Sequence, residues 1–546
     1  MWLIKSKSKR GAQSQSGWST FQPRLEALED RYLLSAGALD PTFGSGGTVT
    51  TGFGNNTNTN AHVLVIQPDG KIVAAGDSDN SATLNVGYYD LTRYNLDGSL
   101  DKTFGSKGEV QTKFGYRVTA NAIALQPDGK ILVGGKNINN GTFEIVRYNS
   151  NGSLDSTFGN KGVVSTSFGQ VGSEIWSLDL ETIGGVTKIV AAGDLWTSGS
   201  PLVNVFGLAR YNLDGSLDGS FGTGGKVVTN MPSEANPDPL GSAVQGDGKI
   251  VVAGEGWSAG TNSREFALAR YNTNGSLDAT FGSGGLILTP IGPNAEARAV
   301  ALQPDGKIVA GGWGSSATHL RPEFALSRYN PDGSLDTSFG SSGVVITSII
   351  ALYDTNDTIN GLAIQPGNGQ IIAVGWANFS SSALVRYNPD GSLDATFGNG
   401  GIVEPTFGQG DTAVALQSDG KIVVTAANNG NFGLARYLPS EPQIGSFTAS
   451  PNPVTADTSL TLTASNITDA NPSSKITQVA FYLDTDGNGI LDSADTLLGY
   501  ATQTTPGVWT FANTVNLAPG TYTLFAQAED SYGVFGDPLT LTLTVQ

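Results

Sequence analysis

Apolar residues in this chain come in short runs separated by turn residues, and the runs recur on a regular beat. In residues 301–312, ALQPDGKIVAGG, two apolar runs flank a Pro-Asp-Gly turn. That pattern predicts a hairpin, since glycine takes the positive φ a tight turn requires and aspartate can bond its own backbone. A third run ends in Arg-Tyr-Asn, as in residues 267–272 and 325–330. A DGS turn then leads into LDxTFG or LDxSFG and a fourth run, such as residues 224–229 or 342–347. Seven such LDx(T/S)FG segments begin at Leu39, Leu100, Leu154, Leu217, Leu277, Leu335 and Leu393, spaced 54 to 63 residues apart.

Four predicted strands in each of seven units point to an all-β fold, a seven-bladed β-propeller. The array is out of phase with itself. It opens at Leu39 with LDPTFG and a strand at 47–51 that no Arg-Tyr-Asn precedes, and it stops at Arg436-Tyr437 with no LDxTFG after it. The N-terminal strand is therefore expected to complete the last blade and close the ring, leaving no exposed edge.

These segments resemble the delta-60 repeat of bacterial surface proteins from about Leu39 to Tyr437. The resemblance implies a propeller-type repeat and little about chemistry. Upstream, RLEALEDRYLLSAG at 24–37 resembles the LEPR-XLL sorting sequence of large planctomycete-type surface proteins, with Asp30 in place of its proline. That implies an extracellular or cell-surface location. The expected division is a basic, largely disordered leader with the sorting sequence (1–36), the propeller (37–440), and, after the LPSEPQ linker, short strands (441–546) that look like an immunoglobulin-like β-sandwich.

Charge narrows the partners. A formal net charge of -18 argues against nucleic acid, whose backbone demands clustered Lys and Arg. The chain has no cysteine, and its two histidines, His62 and His319, lie far apart, so thiolate sites, disulfides and a local histidine cluster are out of reach. No apolar window is long enough to predict a transmembrane span.

Positions shared by all seven copies read as architecture: the Phe of TFG and the Tyr of RYN as packing, and the Arg of RYN as the partner of the Asp in LDxTFG. Ligand binding is expected where the copies differ. The stretch from the fifth residue after the DGK lysine to the Arg of RYN varies from 10 to 17 residues, which marks one face of the propeller as the binding face. Trp196, Trp257, Trp313 and Trp376 follow the second strand in successive units and suit sugar rings or apolar chains. A second set stands five residues before the Gln of each ALQ hairpin: His62, Asn121, Trp176, Leu240, Arg298, Asn360 and Thr412. Small residues two and four places before that Gln suggest a period-two inner strand, which would set this position near the rim of the central channel.

In the C-terminal region, residues 484–495, DTDGNGILDSAD, match an EF-hand-type loop. Asp484, Asp486, Asn488, the Ile490 carbonyl, Asp492 and Asp495 are the candidate calcium ligands. Four carboxylates with no Lys or Arg among them repel by about 4 kcal/mol per pair at 4 Å and an effective dielectric near 20, which a cation would relieve. Asp495 in place of the usual Glu shortens the reach.

The expectation that follows is a non-catalytic binding or scaffold protein whose variable face engages a glycan or a surface protein, with calcium in the C-terminal region. One alternative is a propeller-type polysaccharide hydrolase or lyase using acids such as Glu174, Asp238, Glu296 or Asp411. Another is a purely structural envelope component.

Overall fold

The computed structural model describes residues 36–546 apart from 54–58, 80–85, 198–202, 231–238, 259, 261–262, 317–320, 350–355, 378–380, 405–407, 409–412, 429, 440, 470–473, 488, 490, 493, 515 and 532–534. All its regular structure is β, arranged among the described residues as nine four-stranded sheets. The chain is a β-propeller with an additional β region after it. No helix among the described residues is long and apolar enough to cross a membrane. The sorting-type segment and His319 lie in the undescribed residues, but for Ala36 and Gly37.

Six of the repeat sheets run in sequence order, the first being Thr59–Ile66, Ile72–Asp79, Gly87–Tyr94 and Glu109–Lys113. A seventh is composite. Thr48–Thr51 pairs antiparallel with Asn431–Tyr437, which pairs with Ile422–Asn428 and then Val414–Leu416. The hairpin turns form as the sequence predicts: Gly306 sits at φ 84°, and Asp305 Oδ1 accepts the Lys307 N–H at 3.1 Å.

The recurring residues hold neighbouring sheets together. Every RYN arginine lies over the phenylalanine of its own TFG, 4.3–4.6 Å from guanidinium carbon to ring centre, from Arg93 on Phe104 round to Arg436 on Phe43. Each is also paired with the LDxTFG aspartate: Arg93 with Asp101, Arg270 with Asp278, Arg436 with Asp40. Its Nη1 then crosses to a carbonyl of the next repeat. Arg93 donates to Ser150, Arg147 to Leu213, Arg210 to Thr273, Arg270 to Pro331 and Arg328 to Pro389, and Arg436 donates back to Leu96 of the first repeat. Buried tyrosines add a second link: Tyr94 shares a 2.8 Å hydrogen bond with Thr51 on the N-terminal strand, and Tyr271 does the same with Thr229 at 2.9 Å.

Past residue 441, strands Pro442–Ser450, Ser459–Asp469, Val508–Thr514 and Thr502–Thr505 make one sheet; Thr496–Tyr500, Ile476–Leu483, Gly520–Asp530 and Leu539–Val545 make another. The two share one apolar core that includes Phe447, Leu462, Phe481, Trp509, Leu524 and Leu543. The faces meet because strands such as Ser459–Asp469 and Leu539–Val545 carry apolar residues at alternate positions.

Candidate functional site

The inner strands do not keep a simple period of two. In six repeats the pairing of inner and second strand slips by one residue, and the residue left unpaired is His62, Asn121, Trp176, Leu240, Arg298 or Asn360. Each is the variable position singled out by comparing copies. A β-bulge kinks its strand and re-aims the extra side chain, so the varying residue need not share the direction of its strand neighbours.

A glycine makes each bulge fit. Opposite the residue before the bulge stand Gly76, Gly135, Gly193, Gly254, Gly312 and Gly375. A Cβ on Gly312 would lie 1.9 Å from the Glu296 carbonyl oxygen; on Gly76, Gly135, Gly193 or Gly375 the equivalent distance is 1.8 Å. This signal was present in the sequence, five residues after Lys71, Lys130, Lys188, Lys249, Lys307 and Gln370, and period-two reasoning passed over it. The seventh copy has Ala426 there, and its variable residue, Thr412, lies outside the described residues. Gly312→Ala is expected to push the Arg298 bulge out of register and to cost about 1–3 kcal/mol, the usual range for overpacking. Denaturant unfolding measures it, and a loss below about 0.5 kcal/mol would remove the bulge's dependence on that glycine.

The six bulge residues come together on one cavity of about 710 Å³. Its wall also includes Asn204, Ser242, Glu255, Arg264, Glu296 and Trp376. Polar contacts run from repeat to repeat around it. His62 Nε2 lies 3.2 Å from Asp77 Oδ1, whose carboxylate also accepts the Ala120 N–H at 3.1 Å. Burial alone would lower the His62 pKa, but the bond to Asp77 and its charge raise it. Asn121 donates to Glu174 Oε1 at 2.8 Å and to the Ile175 carbonyl at 3.0 Å, and the Trp176 indole N–H donates to Asp194 at 2.8 Å. Arg298 Nε donates to Glu296 Oε1 at 2.8 Å, and its Nη1 to Asn360 Oδ1 at 3.3 Å. Arg264 meets Glu255 at 3.3 Å.

The four tryptophans divide. Trp376 lines the cavity and is 47% exposed. Trp196 is not in the wall; it lies beneath the Lys136 ammonium, 3.7 Å from ring centre to Nζ. Trp313 gives its indole N–H to Glu296 Oε2 at 3.1 Å, and Trp257 pairs across the ladder with Arg264. Of the candidate acids, Glu296 is in the wall and Glu174 stands behind Asn121, while Asp238 and Asp411 are outside the described residues. Sequence reading missed Glu255 and Arg264. Glu255 stands one residue past Gly254, at the position of Asp77 and Asp194 in other copies, and Arg264 at that of Asn204, but the residue type differs from copy to copy.

In the C-terminal loop, Asp484, Asp486 and Asp495 each offer a carboxylate oxygen within 4.8 Å of the others. Asp484 accepts the Gly487 N–H at 2.7 Å and the Gly489 N–H at 3.1 Å; Asp495 accepts those of Thr485 and Asp492 at 2.9 and 3.0 Å. Asp492 accepts the Ala494 N–H at 2.7 Å. Asn488 and Ile490 lie outside the described residues.

Six segments, 67–104, 126–158, 188–221, 245–281, 303–339 and 367–397, match the family model described as "Domain of unknown function (DUF5122) beta-propeller". No curated protein matches the chain. Solved structures similar to it include a fungal alcohol oxidase of the AA5 family in complex with copper (16% identity, 91% of this chain and 98% of that one, TM-score 0.37). Others are an α-L-arabinanase from Penicillium chrysogenum complexed with arabinobiose (12%, 71% and 96%, TM-score 0.38) and the β-propeller domain of the Trilobed protease from Pyrococcus furiosus (11%, 70% and 94%, TM-score 0.37).

Proposed function

We propose that this chain is a non-catalytic binding protein of the cell surface or extracellular space. In this reading residues 37–440 are a seven-bladed propeller closed by the N-terminal strand, and it captures a glycan at the bulge-lined cavity. Residues 441–546 are an immunoglobulin-like sandwich that carries the propeller. The observation that supports it is the convergence of the six varying bulge residues on one cavity whose volume falls in the ligand-pocket range of roughly 300–1,000 Å³. Trp176 and Trp376 supply flat faces for sugar rings, and Asn121, Asn204 and Asn360 supply amides for hydroxyls. A glycan array probed with the full chain tests this. Binding that falls at least about tenfold in Trp176→Ala and Trp376→Ala is expected; an array silent for the wild type, or one indifferent to both variants, would contradict it.

A second reading, a polysaccharide hydrolase or lyase, draws on Glu255 and Glu296 in the same wall. Each is already engaged by an arginine, which occupies oxygens that proton transfer would need. Product release from a panel of polysaccharides, abolished in Glu296→Gln, would favour it over simple binding.

For the C-terminal loop we propose a calcium site formed by Asp484, Asp486, Asn488, the Ile490 carbonyl, Asp492 and Asp495. The backbone bonds to Asp484 and Asp495 fix those carboxylates in advance, so less ordering is left to the cation. Calcium at one hundred times its Kd should stabilise this region by about 2.7 kcal/mol. Scanning calorimetry of the full chain should show its transition rising with millimolar calcium in the wild type and not in Asp484→Ala; equal behaviour of the two would refute the site.

A further inference from the structure

Resting on the glycan reading, we propose that the cavity selects an anionic sugar, one bearing a carboxylate or a sulfate ester, and that Arg264 and Arg298 are the residues that clamp the anion. The formal charges in the wall balance, with two carboxylates, Glu255 and Glu296, against two guanidinium groups. Their exposure does not. The Glu255 and Glu296 side chains are 9% and 10% exposed, whereas their partners Arg264 and Arg298 are 48% and 40% exposed. The acids are recessed and the guanidinium groups stand in front of them, so a ligand entering the cavity meets cations.

The donors have capacity to spare. A guanidinium carries five N–H groups, and Arg298 directs Nε to Glu296 and Nη1 to Asn360, while Arg264 meets Glu255 through Nη1. The recessed carboxylates fix the arginine planes, which suits the two-point recognition of a planar carboxylate. Arg264 and Arg298 belong to successive sheets, on strands Ser263–Tyr271 and Ala295–Leu302, and line the same cavity, so both face a ligand held there. His62, held by Asp77 on the same wall, adds positive charge as it protonates.

The net charge of -18 opposes an anion at long range. At physiological ionic strength the screening length is about 8 Å, so scattered surface carboxylates are damped while a direct guanidinium contact is not. The local contact wins, and binding should weaken as salt rises.

The test is calorimetric titration of the full chain with oligogalacturonate, with its fully methyl-esterified form, and with a sulfated neutral oligosaccharide. The acid is expected to bind at least about tenfold more tightly than its ester. Arg264→Gln and Arg298→Gln, two independent exposed-side-chain variants, should each erase most of that difference, the acid losing more affinity than the ester. Preference for the sulfated probe, lost in the same variants, would also support the clamp and name sulfate as the anion. Equal or tighter binding of the ester would overturn the clamp and leave the glycan reading standing; failure of all three probes to bind would overturn both.

Discussion

Arg436→Met is expected to open the propeller at one place. Asp40, 1% exposed, would keep only Lys421 as a cationic partner, and the donation to the Leu96 carbonyl would be lost. Removing one partner of a buried pair costs about 3–5 kcal/mol. The same change at Arg270 breaks the same kind of contact set, but between residues 8 apart in sequence, whereas Arg436 and Asp40 are 396 apart. Closing the longer loop costs about 3.5 kcal/mol more, by the logarithmic dependence of closure entropy on length. At Arg436 the lost contacts are therefore ones that offset a larger closure cost, so the seam is more exposed to their loss than the Arg270 contact is. Hydrogen exchange should find Thr48–Thr51 and its partner strand Asn431–Tyr437 exchanging rapidly in Arg436→Met, with Ile250–Ser258 still protected. Arg270→Met should spare the seam. Equal protection at the seam in both variants would mean that the closing contacts do not hold it.

Asp90→Asn should act in the opposite direction, and through pH. Asp90 is fully buried and lies opposite Gly76, whose Cβ would meet Phe432 of the last repeat at 3.1 Å, so cross-strand geometry points Asp90 toward the seam too. Neither of its oxygens finds a hydrogen bond of ordinary geometry. Burial pushes its pKa up to about 7; Ser78 and Gln111 moderate the rise, and the charges of Asp77 and Glu109 add to it. The folded pKa exceeds the unfolded value of 3.8, so the folded state holds the proton more tightly. Stability from this group is complete below pH 3.8 and is lost as pH climbs to about 7, by about 4 kcal/mol in all. The LDxTFG aspartates do the reverse. Burial opposes their ionisation, yet the Thr280 hydroxyl, Lys249 and Arg270 hold Asp278 well below the usual carboxylate range, so its contribution disappears in acid. Asp90→Asn should flatten the decline between pH 4 and 7 and raise stability at pH 8 by a few kcal/mol, less about 1–3 kcal/mol for an amide that is not fully paired. Urea unfolding at pH 4 and pH 8 measures the difference; a variant that keeps the wild-type slope would place the ionisation elsewhere.

Architecture could be read from the sequence because seven copies allow the chain to be compared with itself. The invariant Arg, Phe, Asp and Tyr proved to be contacts between and within sheets, as a residue needed by every copy should be. The complementary ends at Leu39 and Tyr437 anticipated the pairing of Thr48–Thr51 with Asn431–Tyr437. The variable position at His62, Asn121 and Arg298 was also visible, but not how it reaches the cavity. A bulge adds one residue without altering composition, and only the glycine opposite betrays it. Glu255 and Arg264 were hidden for another reason. Glu255 does have counterparts, Asp77 and Asp194 at the same distance after the hairpin lysine, and Arg264 stands where Asn204 stands before its own RYN arginine, but the residue type changes from copy to copy, so the motif alone does not single them out.

Where a ligand binds decides between a site on the bulged inner strands and one elsewhere on the chain. Hydrogen exchange on the full chain, with and without saturating oligogalacturonate, locates it directly. Protection is predicted at the bulged inner strands, including Val118–Leu125, Gly172–Ile183 and Ala295–Leu302, with the DGS turns and the C-terminal sheets unchanged. Protection confined to those turns or to residues 441–546, or none on the inner strands, would contradict a binding site built from the residues in which the repeats differ.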